Sequence, residues 1–121
     1  MSIIGTWKLL KQVFVCSTGS EETGVFATCL QGELTFNSDG TVNDIYYCDD
    51  TGSPGEYVFE GTWSLSGENL TQILNGITFN TTFLEVTEDV LRIGYYYNEG
   101  DFPCDGNNFQ SHRYQEYTRV E

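Results

Sequence analysis

Positive charge is scarce in this chain. Lys8, Lys11, Arg92, Arg113 and Arg119 stand against 18 acidic residues, for a formal net charge of -13 over 121 residues. A field of that sign repels phosphate backbones and anionic lipid surfaces, which excludes a nucleic-acid binder and favours solubility in a salty or extracellular medium. No apolar run approaches the ~20 residues needed to span a bilayer, and the N-terminus lacks the basic and apolar regions of a secretion signal. Helical periodicity, linkers and low-complexity tracts are all missing. Proline is nearly absent, with 2 residues. Histidine occurs once, as His112. Ser17, Ser20, Ser53 and Ser111 have no nucleophile elbow around them, so hydrolase motifs are lacking and no enzyme is expected.

What the chain has is rings and glycines. Eight Tyr, 8 Phe and 13 Gly favour strands over helices. A length of 121 residues makes a single domain, 1–121, able to bury roughly two-thirds of its unfolded surface. Turn residues about every ten positions separate eight alternating segments, 6–16, 29–36, 41–48, 56–66, 69–74, 77–87, 90–98 and 112–120. Alternation is cleanest at Leu30, Gly32, Leu34 and Phe36, and at Tyr57, Phe59, Gly61, Trp63 and Leu65. Such faces are half-buried, so one side of the sheet lines a core or cavity. Asn37-Ser38-Asp39-Gly40, Ser66-Gly67 and Glu88-Asp89 read as tight hairpins at one end, and Asn75-Gly76 as a short turn at the other. The longer polar connections 17–28, 49–55 and 99–111 share that second end. The expectation is an all-β, eight-stranded antiparallel up-and-down barrel.

Gly-Thr-Trp occurs twice, in Gly5-Thr6-Trp7-Lys8-Leu9 and Gly61-Thr62-Trp63-Ser64-Leu65. The meander sends Trp7 and Trp63 to the short-hairpin end, where glycine lets backbones approach and indole fills the gap. Pairing the last strand with the first brings Arg119 beside Trp7 for a cation–π contact. All four cysteines fall at the opposite, long-loop end. None is in a Cys-x-x-Cys spacing, and four in so small a chain point to two disulfides and an oxidising compartment. A four-residue turn at 37–40 would set Cys29 opposite Cys48, leaving Cys16 to pair with Cys104. The alternative joins Cys16 to Cys29 and Cys48 to Cys104.

Ile4-Gly5-Thr6-Trp7-Lys8-Leu9, Leu34-Thr35-Phe36-Asn37-Ser38-Asp39-Gly40-Thr41 and Gly61-Thr62-Trp63-Ser64-Leu65-Ser66-Gly67-Glu68-Asn69-Leu70-Thr71 together resemble the lipocalin-like domains of small bacterial secreted and lipid-anchored proteins, in the wider calycin group of eight-stranded barrels. The resemblance covers nearly the whole length. It implies that Trp7 and Arg119 form the pair that shuts the barrel base, a structural role, and it implies ligand binding without naming a ligand. The segment 17–28 is too short for the helical pair of fatty-acid-binding proteins, and the tryptophan ring of avidins is missing.

Tyr47, Tyr57, Phe59, Phe79, Phe83, Tyr95 and Tyr97 are assigned inward, a lining of apolar rings and hydroxyl donors suited to a small organic ligand. Eight strands enclose space for little more than side chains, so these rings either fill the barrel or leave a small pocket toward the mouth. His112 reads as a hydrogen-bonded strand residue at the mouth. Glu21, Glu22, Asp49, Asp50, Glu56, Glu99, Asp101 and Asp105 also crowd the mouth, but Asp101-Phe102-Pro103-Cys104-Asp105-Gly106-Asn107 lacks EF-hand spacing and reads as solvated charge. Neither a metal nor a cofactor is assigned. The expected function is an exported, monomeric binding protein holding a small apolar or aromatic ligand in the upper barrel, its native precursor carrying a signal or lipid anchor. The alternative is an interaction module with a filled barrel whose acidic, disulfide-braced loops contact another exported macromolecule.

Overall fold

The computed structural model describes residues 2–24, 32–48, 51, 53–97, 102–104 and 106–120. Among the described residues ten strands form one antiparallel sheet: β1 (Gly5–Cys16), β2 (Glu21–Gly24), β3 (Glu33–Phe36), β4 (Thr41–Cys48), β5 (Pro54–Ser66), β6 (Asn69–Leu74), β7 (Ile77–Thr81), β8 (Phe83–Val86), β9 (Val90–Tyr96) and β10 (Gln110–Val120). The spatial order is β7-β6-β5-β4-β3-β1-β10-β9-β8, with β2 attached to β1 outside that path. The two ends of the path, β7 and β8, are consecutive in the chain and separated only by Thr82. The circuit thus returns on itself through the covalent chain, with the neighbour relations of the expected all-β up-and-down barrel.

The segment 77–87, read from the sequence as one strand, divides because it changes partners. Residues before Thr82 pair with β6 and residues after it pair with β9. Thr82 makes the transfer: its N–H donates to Gly94 O at 3.0 Å and its hydroxyl accepts from Tyr96 N at 3.0 Å. An inserted residue also reverses side-chain parity. Phe79 and Thr81 face inward before it, Leu84 joins the core after it, and Phe83 faces out. Leu10, at a register shift between Leu9 and Lys11, does the same for β1. Trp7 and Leu9 are core residues below this shift, and Gln12 faces the interior above it.

Both tryptophans lie at the short-hairpin rim. Trp7 is fully buried, opposite Arg119 in the β1–β10 ladder, and its Nε1 donates to Ile3 O at 2.9 Å. Trp63 Nε1 donates to Asn37 O in the β3–β4 hairpin at 3.0 Å, and its ring meets Phe36 edge-on at 5.5 Å. The Arg119 guanidinium lies 4.1 Å from the Trp7 ring centroid. Its three nitrogens donate to Glu88 O, Ile4 O and Ser2 O at 2.6, 3.2 and 2.9 Å, tying the β8–β9 hairpin to the N-terminal segment. The two glycines preceding the indoles serve different needs. Gly5, at φ 137°, leaves room for the guanidinium, because a Cβ there would come within 2.8 Å of Arg119 Nη1. Gly61 lets β5 and β6 close together, because a Cβ would fall 1.5 Å from Ile73 O.

The long-loop end is crosslinked by Cys16–Cys104, which overturns the alternative pairing of Cys16 with Cys29. Cys48 is also in a disulfide, and its expected partner Cys29 lies outside the described residues. Ser17 N–H donates to Phe109 O at 2.9 Å and Gln110 N–H to Phe102 O at 2.7 Å, which holds the chain after β9 against the end of β1. Glu21-Glu22-Thr23-Gly24, expected as loop, forms β2 instead, pairing with residues 12–15 of β1.

Candidate functional site

Above the plugged rim the barrel holds a cavity of about 310 Å³. That is at the lower end of the range for small-molecule sites. Leu34, Leu74 and Ile93 supply aliphatic walls, and Phe59, Phe79 and Tyr95 supply rings. Gln12, Asp44, Tyr46, Gln72, Thr81, Arg113, Gln115 and Tyr117 supply polar atoms. The ladders explain how these residues meet. Asp44 stands opposite Phe59, Gln12 opposite Gln115, Gln115 opposite Ile93, and Gln72 between Trp63 and Phe79. Each row presents one face of a pleat to the interior.

Several of the polar groups satisfy each other. The Tyr46 hydroxyl donates to Asp44 Oδ2 at 3.0 Å, the Tyr117 hydroxyl to Gln115 Oε1 at 2.9 Å, and the Thr81 hydroxyl to Leu70 O at 3.1 Å. The Arg113 guanidinium lies 5.2 Å from the Tyr95 ring centroid. Gln72, 7% exposed, keeps Oε1 buried with no partner among the described residues. Burial pushes the Asp44 carboxyl up to about 6, against a smaller lowering by the Tyr46 hydrogen bond. The Tyr46 phenol is raised by burial and by the adjacent Asp44 charge. Tyr117 is raised by complete burial and then by Tyr46, Asp44 and Tyr95 nearby.

Of the seven residues assigned to the lining, Phe59, Phe79 and Tyr95 border the cavity. Tyr57 and Tyr97 are half-buried and do not border it; Tyr97 packs against Phe102 with ring centroids 4.5 Å apart. Two inward assignments are corrected. Tyr47 is 47% exposed, and its neighbour Tyr46 takes the interior position. The β4 face that points inward carries Val42, Asp44 and Tyr46, and a polar Asp44 in that row disguises it as the outer face. Phe83 lies outside the barrel because of the parity reversal at Thr82. There its ring stacks on Tyr114 at 5.5 Å and packs against His112 and Tyr96 at 4.9 and 5.7 Å.

This outer aromatic face includes the single histidine. His112 Nδ1 is 2.8 Å from Ser111 Oγ, and burial lowers its pKa. Beside it Arg92 lies over Tyr114 at 5.1 Å and pairs with Glu116 and Glu85 at 2.8 and 3.1 Å. Of the acidic residues assigned to the mouth, Glu21, Glu22 and Glu56 are exposed strand residues, and Asp49, Asp50, Glu99, Asp101 and Asp105 lie outside the described residues. The polar liners Gln12, Asp44, Gln72, Arg113, Gln115 and Tyr117 went unread in the sequence. The signal that finds them is spacing by two from residues known to face inward.

The sequence matches the lipocalin-like domain family over residues 3–93. Among solved structures it is similar to a lipocalin-like protein from Bacteroides uniformis, at 16% identity and a TM-score of 0.57, with 98% of each chain covered. It is similar as well to an uncharacterized protein from Bacteroides eggerthii, at 11% identity and a TM-score of 0.57, covering 98% of this chain and all of that one. At such identities the structural likeness concerns the fold alone. No curated protein matches the sequence. The family match spans most of the chain and carries Trp7, the Asn37 to Gly40 hairpin and Trp63, and on it the chain belongs to the lipocalin-like domain family.

Proposed function

We propose that the chain is an exported binding protein that holds a small apolar or aromatic molecule in the barrel cavity. The observation carrying this reading is the cavity itself. The rings of Phe59, Phe79 and Tyr95 border about 310 Å³ of space instead of filling it, and a few convergent polar groups lie among apolar walls. A solid barrel acting only through its loops needs no such space. The Cys16–Cys104 disulfide supports export, because such crosslinks persist in oxidising compartments. Binding is favoured over catalysis because His112 sits on the outer face, apart from the Asp44 carboxyl in the cavity.

Titration with a neutral naphthylamine probe tests the reading. Saturable fluorescence enhancement at one probe per chain is expected in the wild type. Ile93→Trp, which fills the cavity, should abolish it, and Tyr96→Ala on the outer aromatic face should leave it intact. Loss in Tyr96→Ala with retention in Ile93→Trp would move the site to the outer face, and no saturable signal in any form would favour the filled-barrel interaction module.

A further inference from the structure

Asp44 is the one carboxylate bordering the cavity among the described residues, and Arg113 is the one cation. Tyr46 and Tyr117 both use their hydroxyl protons within the wall, on Asp44 and Gln115. Asp44 forms no ion pair among the described residues, whose bridges join only Lys11, Arg92, Glu85 and Glu116. Arg113, the cation of the lining, is placed over the Tyr95 ring. A mostly buried carboxylate without a counter-charge is unfavourable, and a cationic occupant relieves it.

We propose that the cavity takes a small primary ammonium compound with an aromatic or apolar body, bringing positive charge and N–H donors to the Asp44 carboxylate. This rests on the cavity being the binding site. An ammonium carries a positive charge, three donors and no acceptor, the complement of the Asp44 carboxylate. Its body meets the rings of Phe59 and Phe79 and the side chains of Leu74 and Ile93. At weakly alkaline pH the Asp44 carboxyl, held up to about 6, is ionised. The net charge of -13 also raises the concentration of small cations around the protein. A carboxylate ligand would add repulsion at Asp44.

The test is a set of calorimetric titrations at about pH 8 with phenethylamine, phenethyl alcohol and phenylacetate, probes of like shape that differ in charge. Phenethylamine should bind at least about tenfold more tightly than the alcohol, the span expected of one charge-assisted hydrogen bond, and phenylacetate should be weakest. In Asp44→Asn the preference for the amine should shrink to within about threefold. Amide chemical shifts on adding the amine should change around Asp44, Phe59 and Gln72. Equal affinities for amine and alcohol would overturn the proposal. So would tighter binding of phenylacetate, which would make Arg113 the anchor, or a preference that survives in Asp44→Asn. The wild-type series decides alone if that variant does not fold. Shifts confined to exposed carboxylates would overturn it as well. If the naphthylamine probe enters the cavity and none of the three compounds binds, this proposal falls and the binding-protein reading stands; if the probe also fails, both fall.

Discussion

Replacing Asp44 with Asn should make the protein more stable at neutral pH, and the gain should vanish in acid. The folded protein holds the Asp44 proton up to about 6 against an ordinary value of 3.8, chiefly because burial disfavours the charge. Between those two values the folded state binds more protons than the unfolded chain, so this group's contribution to stability falls as pH rises through the window. Above it the whole cost of the buried charge is present. The interval from 3.8 to about 6 corresponds to about 3 kcal/mol. Asn has no proton to lose, and its amide oxygen can still accept from the Tyr46 hydroxyl. The remaining carboxylates are common to both proteins and cancel in the difference. Urea unfolding followed by Trp7 and Trp63 fluorescence, at about pH 4, 6 and 8, gives that difference directly. It should be near zero at the acid end and approach about 3 kcal/mol in favour of Asn at the alkaline end. A difference independent of pH, or a less stable Asn variant at about pH 8, would refute the reasoning.

At the plugged rim, Arg119→Lys keeps the charge but loses the planar fork that reaches three carbonyls and lies on Trp7; a loss of about 1–3 kcal/mol is expected in urea unfolding. A change under about 0.5 kcal/mol would make the fork dispensable. Gly61→Ala puts a methyl carbon where Ile73 O stands and should cost about 1–3 kcal/mol, read in the same assay, with amide exchange accelerated across β5 and β6. The double variant Cys16→Ser, Cys104→Ser opens a crosslink between positions 88 residues apart, and loop entropy sets the loss at about 4–5 kcal/mol. Thermal unfolding of this variant at an unchanged midpoint would show that the bridge adds nothing to the mouth.

The plugged rim was legible because its determinants are local and loud. Each indole follows a Gly-Thr pair, Asn37 to Gly40 forms a turn whose Asp39 carboxylate accepts from Thr41 N and Oγ1 at 3.0 and 2.6 Å, and the meander then delivers Arg119 to Trp7. The Cys16–Cys104 bridge followed from the same strand order. The interior was harder to read for two physical reasons. Inserted residues at Leu10 and Thr82 reverse parity in mid-segment, so a count by twos carried Phe83 to the wrong face. The inward rows also carry polar side chains, Gln12, Asp44, Gln72 and Gln115, which apolar alternation scores as solvent-facing; that choice displaced Tyr46 in favour of Tyr47. β2 escaped notice because Glu21 and Glu22 are exposed and nothing in the strand reports burial.

The most direct measurement is an amide chemical-shift map of the protein titrated with the neutral naphthylamine probe. The account predicts saturable changes clustered at Gln12, Asp44, Phe59, Gln72, Phe79 and Tyr95, with the base at Trp7 and Arg119 little moved. Changes centred on Phe83, Tyr96 and His112, or none that saturate, would contradict a ligand held inside the barrel.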